Sequence, residues 1–399
     1  MRYLIILLTF VIIPCGYTAP VIESQSGTEV DGGTVVISGS GFGTNTAVGT
    51  SSLQFLKDNI EDSTNGEVFA ASGWANYQDS EDAETAVPRY NQTEAHSGNQ
   101  SIFIDYTKDG VNRYKGHFYY NHTTAMPIVY LTWWVKSVSD TCESCSHQWK
   151  IWRIKNGTTF TDSDILNFIQ SSWARTVSPD REATLFVATA TSEFFCDGCA
   201  NEKTPSGTIY LSADDVPGPT GINDRWVRME YYFDVGTLEN NDGTLFYWIH
   251  DPDDPGTPSI DAPSILQFDG NLRFLETAEQ WQYALFGGAA VDGMDIDVWW
   301  DDVFIQVGGM QRVEIGDDPV WANCTHREIQ YPIAWATDEI TVTVNRGSFA
   351  ADATAYLFVV DANGDASAGK EIEFGSAGLP GAISIPGNLS ISSGQLSVH

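Results

Sequence analysis

Apolar and polar residues alternate along this chain in short runs, and each run is closed by a cluster of Gly, Pro, Asn or Asp. Alternation of period two puts successive side chains on opposite faces of a strand, whereas an amphipathic helix needs a period of 3.6. Clear runs are TVVISGSGF (34–42), QSIFIDYT (100–107), IVYLTWWVK (128–136), HQWKIWRI (147–154) and ATLFVATA (183–190). The series continues with RWVRMEYYFDV (225–235), TLFYWIH (244–250), DIDVWWDDVFIQV (295–307), EITVTVN (339–345) and AYLFVVD (355–361). A helical turn is expected only near 162–172. Many short strands with turn signals between them predict an all-β protein built from sandwiches.

The chain has 399 residues, 42% of them hydrophobic, which is enough for a folded protein of two or three domains. Asp and Glu number 53 against 20 Lys and Arg, a net charge of −33. A polyanion would be repelled, so nucleic acid is excluded as a partner. Arg2 precedes the apolar run YLIILLTFVIIP (3–14), then CGYTA. Residues 1–19 have the charged start and short apolar core of a secretory signal and are too short to span a bilayer. No other segment is a transmembrane candidate. A secreted or cell-surface-associated protein is expected, and six Asn-x-Ser/Thr sequons (Asn91, Asn99, Asn121, Asn156, Asn323 and Asn388) fit that address.

Two resemblances organise the strands. PVIESQSGTEVDGGTVVISGSGFGTN (20–45) resembles the opening of an IPT/TIG immunoglobulin-like domain, with a proline-led strand, a Gly-Gly turn and a GxGFG strand end. Its continuation reappears in RVEIGDD (312–318), EITVTVNRGSF (339–349) and AYLFVVDANGDAS (355–367). The resemblance implies one smaller immunoglobulin-like β-sandwich, 20–45 plus 310–375, interrupted by an inserted domain. The insert, 50–308, is similar to concanavalin A-like lectin/glucanase jelly rolls, particularly those of polysaccharide lyases and laminin-G-like modules. The similarity rests on YLTWWVKS (130–137), DRWVRMEYYFDVGTLENNDGTLFYWIHD (224–251) and DIDVWWDDVFI (295–305). Residues 376–399 form a Gly/Ser-rich tail or extra strand, a candidate for self-association through a neighbour's sheet edge.

Strand parity nominates a binding face. Within 225–235, Val227, Met229, Tyr231, Phe233 and Val235 suit a core, leaving Trp226, Arg228, Glu230, Tyr232 and Asp234 opposite. The same alternation leaves Phe246, Trp248 and His250 on the next strand, and Asp295, Asp297, Trp299 and Asp301 on 295–301. Strand 147–154 exposes either Gln148, Lys150 and Trp152 or His147, Trp149 and Arg153. If these strands are neighbours, aromatic rings collect beside charged groups on one face. Rings stack on pyranose faces while charged and amide groups hydrogen-bond the hydroxyls. An extracellular polysaccharide is therefore the expected partner of Gln148, Lys150, Trp152, Trp226, Arg228, Glu230, Tyr232, Trp248, His250, Asp297 and Trp299. The competing use of such a face is packing or assembly, as in a structural or adhesive surface protein.

The enzymatic alternative is a lyase on an acidic glycan, which needs a cation near the uronate carboxylate and a Tyr or His base. Lys150, Arg153 and Arg228 are candidates for the first task, with His147, Tyr231 or Tyr232 for the second. DIDVWWDD resembles the catalytic strand of laminarinase-type glucanases, but its acids are Asp rather than Glu and a Trp intrudes, so no retaining pair is expected. CESC and CDGC place Cys142, Cys145, Cys196 and Cys199 in two Cys-x-x-Cys pairs, suited to structural zinc or to two disulfides. Cys324 has no expected mate. Calcium is an option at DPDDPG (251–256) and DANGDASAGKE (361–371), although the latter reads more simply as a hairpin loop. No organic cofactor is expected.

Overall fold

The computed structural model describes residues 18–48, 56–58, 60–61, 63–71, 73–78, 87–106, 114–139, 147–155, 167–175, 182–189, 209–211, 224–237, 240, 242–250, 266–270, 281–291, 296–375, 389–392 and 395–398. The chain runs β1 (Val21–Gly27), β2 (Thr34–Ser40), β3 (Leu56–Asp58), β4 (Trp74–Gln78), β5 (Arg89–Asn91) and β6 (Ser101–Asp105). Longer strands follow: β7 (Tyr114–Met126), β8 (Ile128–Ser139), β9 (His147–Lys155), β10 (Asn167–Arg175), β11 (Glu182–Thr189) and β12 (Ile209–Leu211). Next come β13 (Trp226–Asp234), β14 (Gly243–His250), β15 (Leu266–Gly270), β16 (Trp281–Val291), β17 (Ile296–Val307) and β18 (Arg312–Gly316). The last are β19 (Arg327–Trp335), β20 (Glu339–Thr343), β21 (Thr354–Val360), β22 (Lys370–Glu373), β23 (Leu389–Ser392) and β24 (Gln395–Val398). Among the described residues the only helical element is a 3-10 turn at Trp321–Asn323. The protein is all-β.

Three sheets stack in layers. A seven-stranded sheet of order β12-β11-β10-β9-β16-β7-β4 faces an eight-stranded sheet of order β15-β14-β13-β8-β17-β6-β5. Aromatic side chains fill the space between them. Trp133 of β8 stacks on Tyr231 of β13 at 5.3 Å and meets Phe286 of β16 edge-on at 5.0 Å. Phe118 of β7 packs on Phe286 at 5.2 Å and reaches Trp300 of β17 at 5.6 Å. Such ring pairs contribute about 0.5–1.5 kcal/mol each beyond the area they bury. Gly287 (φ +86°) follows Phe286 where β16 bulges against β9, and a Cβ there would meet the Gly116 carbonyl and the Tyr106 hydroxyl, which are hydrogen-bonded to each other.

The third sheet, β1-β2-β20-β19-β18-β21-β22, draws strands from both ends of the described chain. Val35 pairs with Val342, although nearly the whole of the other two sheets lies between them in sequence. Its core holds Val35, Ile37, Phe42, Val313, Ile315, Ile340, Val342, Leu357 and Val359. Where the chain leaves and re-enters this sheet, the two crossings are stitched together. Asn45 Nδ2 donates to Gln306 Oε1 at 2.7 Å, Gln306 Nε2 donates to the Gln311 carbonyl at 2.8 Å, and Gln311 Nε2 donates to the Thr44 carbonyl at 3.0 Å.

One expectation changes at this level. Residues 167–172, expected in a helical turn, lie in β10, whose backbone is paired on both sides by β9 and β11. The 361–371 segment is a hairpin loop between β21 and β22, in which Asp361 accepts from the backbone amides of Asn363 and Asp365. Cys142, Cys145, Cys196, Cys199, residues 251–256 and the N-terminal apolar run lie outside the described residues. Of the tail, β23 and β24 pair with each other.

Candidate functional site

The strands expected to share one face are divided between two sheets. β13, β14 and β17 belong to the eight-stranded sheet, whereas β9, carrying His147, Gln148, Lys150, Trp152 and Arg153, lies between β10 and β16 in the opposite one. Parity on β13 is as read: Val227, Met229, Tyr231 and Phe233 are all fully buried in the core. Tyr231 is therefore unavailable as a base facing solvent. The polar face opposite is also covered, because the third sheet lies on it.

That cover is ionic at its centre. Arg228 and Glu230 of β13 and His250 of β14 meet Arg312 and Glu314 of β18 and Arg327 of β19, all of them 2% exposed or less. Arg228 pairs with Glu314 and also donates to Thr132 Oγ1 and the Arg327 carbonyl. Arg312 pairs with Glu230 at 2.8 Å, and Glu230 accepts from the Tyr130 hydroxyl at 2.5 Å and lies 2.9 Å from His250 Nε2. Trp321 covers the group, its ring 4.0 Å from the Arg327 guanidinium and its indole N–H donating to Glu314 at 2.7 Å. Three guanidiniums thus share two carboxylates. Burial alone would raise both carboxyls, but Arg312 first among the cations holds Glu230 well below the usual range and brings Glu314 to about 2. Burial and the Arg327 charge lower His250 to about 4, so its ring is neutral at physiological pH. Around this centre Tyr130 and Phe304 pack on Met310, Ile329 and Tyr331, with Tyr232 and Phe246 at the edge.

The expected exposure of Arg228, Glu230 and His250 is therefore corrected: they are sealed beneath a second protein layer. The reason is that a polar row on a strand requires partners, and a neighbouring sheet supplies them as well as water does. Trp226 and Tyr232 remain half-buried, Trp226 edge-on to His96 at 5.8 Å. Asp297 is half-buried, and Trp299 is buried against Phe103 at 5.0 Å. Trp248 pairs with Glu230 through the backbone.

Sequence reading missed a second cluster beside the first. β17 bulges between Asp301 and Phe304, with Asp302 at φ +47°, and the bulge turns both carboxyls toward the loop before β6. Asp301 accepts from the backbone amides of His96 and Ser97 at 2.8 and 3.2 Å. Asp302 accepts from Ser97 Oγ, Tyr331 and Asn345 Nδ2 at 3.0, 3.2 and 3.3 Å. Burial, then Glu328, pushes the Asp302 carboxyl up to about 8; burial, then Asp302, pushes Asp301 up as well. Glu328 accepts from the Trp134 indole at 2.8 Å and lies 2.7 Å from His326 Nε2. No local motif marks this group, since its members come from a loop, a bulge and the third sheet.

The seven-stranded sheet is the outer of the two larger layers. Phe118 and Phe286, in register, face the core. One residue along, Tyr119 and Arg153 both stand opposite Leu285, and Arg153 stands opposite Gln170. Alternation directs Tyr119, next to the core-facing Phe118, away from the core. Tyr119 is half-buried there, with the buried His117 ring 6.4 Å away.

No protein-family model and no curated protein matches the sequence. Among solved structures, the chain is similar to a marine alginate lyase from Aplysia kurodai, at 13% identity over 59% of this chain and 91% of that one, with a TM-score of 0.40. It is also similar to the carbohydrate recognition domain of Emp47p, at 10% identity over 67% and 100% with a TM-score of 0.35. Lectin II from Ulex europaeus aligns at 9% identity over 60% and 95%, with a TM-score of 0.34. Among the described residues, no helix is long and apolar enough to cross a membrane.

Proposed function

We propose that the protein is exported and binds an extracellular polysaccharide, without cleaving it, along the outer face of the seven-stranded sheet. The observation that carries this reading is the covering of the eight-stranded sheet by the third one. That cover removes Arg228, Glu230 and His250 from reach, so this reading turns to the other side of the jelly roll. There the row of Tyr119, Arg153 and Gln170 combines a ring with cationic and amide groups, the mixture that holds sugars. The third sheet is the interrupted immunoglobulin-like domain of this reading, supported by its strands from before and after the two larger sheets and by the Asn45–Gln306–Gln311 clasp. The Cys-x-x-Cys pairs, as a zinc site or as two disulfides, would staple the excursion between β8 and β12.

One observation favours a lyase as the second reading. Tyr119 and Arg153 stand opposite the same residue, Leu285, which puts in one register row a tyrosine that could take a proton as its phenolate and a cation that could neutralise a uronate. Affinity electrophoresis through gels cast with neutral or acidic polysaccharides, then stained for remaining polymer, separates the two. Retardation without clearing, lost in Tyr119→Ala and Arg153→Ala, is the expected result for a binder. A cleared zone with unsaturated product, lost in the same variants, makes the protein a lyase. Unchanged mobility and intact polymer in every gel would remove the carbohydrate reading.

A further inference from the structure

Three donors of the kind that bind transition metals converge where the loop before β6 meets the start of β19. The nearest ligand atoms of His96, His326 and Glu328 all lie within 4.8 Å of one another. Glu328 Oε1 is 2.7 Å from His326 Nε2 and 3.4 Å from His96 Nε2. Two ligands of a tetrahedral zinc, each about 2.0–2.1 Å from it, stand roughly 3.3 Å apart. These separations are therefore close to what a shared ion requires, with only small side-chain movements.

The surroundings fix the donors in place. His96 stacks on Trp134 at 3.7 Å with its plane 13° away, and His326 stacks on Phe349 at 4.1 Å and 12°. The Trp134 indole occupies Glu328 Oε2, and Oε1, which also accepts from the Ser348 backbone amide at 3.2 Å, points toward the two imidazoles. His96 Nδ1 lies 3.4 Å from Asp302 Oδ2, the carboxylate-to-imidazole support that orients metal-binding histidines. A Cβ on Gly347, itself at φ +57°, would collide with the Glu328 carboxyl, so glycine is what lets this loop close over the group. Both ring nitrogens of His96 face carboxyl oxygens, and a neutral imidazole has a single N–H. A cation between His96 Nε2 and Glu328 Oε1 resolves that opposition, as a proton on the Asp302 carboxyl also would.

We propose that His96, His326 and Glu328 form a zinc site that locks the loop before β6 onto the third sheet. Ser348 Oγ, 3.1 Å from His326 Nε2 and at the exposed side of the cluster, stands where a fourth ligand or a bound water would complete the tetrahedron. Two nitrogen donors in three favour zinc over calcium, which takes six to eight oxygens. The site is distinct from the cysteine pairs and independent of the carbohydrate reading.

The test uses the full-length protein stripped of metal and then titrated with zinc and with cobalt(II), with bound metal counted by mass spectrometry. His326→Gln is the main variant, because its amide keeps a donor toward Glu328 and the native side chain already reaches the surface at 16% exposure. Wild type is expected to bind one more equivalent of zinc than His326→Gln, or to bind that equivalent about 100-fold more tightly. The variant should lose cobalt absorption of the nitrogen/oxygen type while any thiolate absorption stays, and calcium should not substitute. His96→Gln should behave alike if it folds. Equal stoichiometry and affinity in wild type and a His326→Gln chain with wild-type metal-free melting would overturn the site. So would the absence of zinc binding by the wild type outside the cysteine pairs, with a carboxyl proton then resolving the opposition at His96.

Discussion

At its centre β13 is dry on both faces, and the two are held by different physics. On one face Val227, Met229, Tyr231 and Phe233 pack among aromatic rings, where the attraction is non-directional and scales with area. On the other, Arg228 and Glu230 are as completely buried, yet each depends on named atoms of β18 and β19. An apolar face tolerates loss of one neighbour as a cavity; an ionic face left with an odd charge does not. Alternation in a sequence thus distinguishes two kinds of environment, and does not by itself say which one is wet.

The sharpest way to break this contrast is to unpair the ionic face. Arg312→Ala leaves Glu230 and Glu314 with less compensation and should cost about 3–5 kcal/mol in denaturant unfolding. Trp133→Ala, on the apolar face, should cost a similar 3–5 kcal/mol by opening a cavity. What separates the faces is the paired replacement: Arg228→Met with Glu314→Leu should lose less than the two single changes summed, with a coupling of about 1–3 kcal/mol. Additive losses would mean that the network is packing and not pairing.

Of the two faces of β13, acid should act on the ionic one. His250 is neutral in the fold down to about pH 4, whereas in the unfolded chain it takes up a proton near 6.5. Stability is therefore fully present above 6.5 and falls as pH drops toward 4, by about 1.4 kcal/mol per pH unit. Glu314 adds a second loss, beginning below its ordinary 4.5 and complete only near 2. His250→Gln should flatten the upper part of a melting-temperature profile between pH 7.5 and 4.5. The smallest expected effect lies at the rim. Lys136 bridges the more exposed Glu94 and Asp224, and Lys136→Gln should cost under about 1 kcal/mol, less still at high salt.

Most strands were legible because period-two runs survive whichever sheet they enter: 225–235 became β13, 244–250 became β14, and 295–307 became β17 within a residue or two. β10 was not legible, since NFIQSSWAR lacks alternation and its conformation is set by pairing on both sides. β7 and β16 carry polar and small residues that interrupt the apolar rhythm, so no alternating run marks them. Parity on β13 correctly divided core from polar residues, but which sheet β9 joins and what covers Arg228 are facts of tertiary order. The same holds for His96, Asp302, His326 and Glu328, which no spacing rule connects.

The clasp of Asn45, Gln306 and Gln311 bears on how the molecule assembles. Asn45 and Gln306 are 261 positions apart, and bringing such distant points of a loose chain together would cost about 5 kcal/mol in loop-closure entropy. Once the two larger sheets have formed, their own ends already stand side by side and that cost has largely been met. The first two strands therefore leave the ribosome first and find their partners last. Assembly is hierarchical: a lesion in the aromatic core should prevent the third sheet from closing, whereas a lesion within the third sheet leaves the larger body free to form.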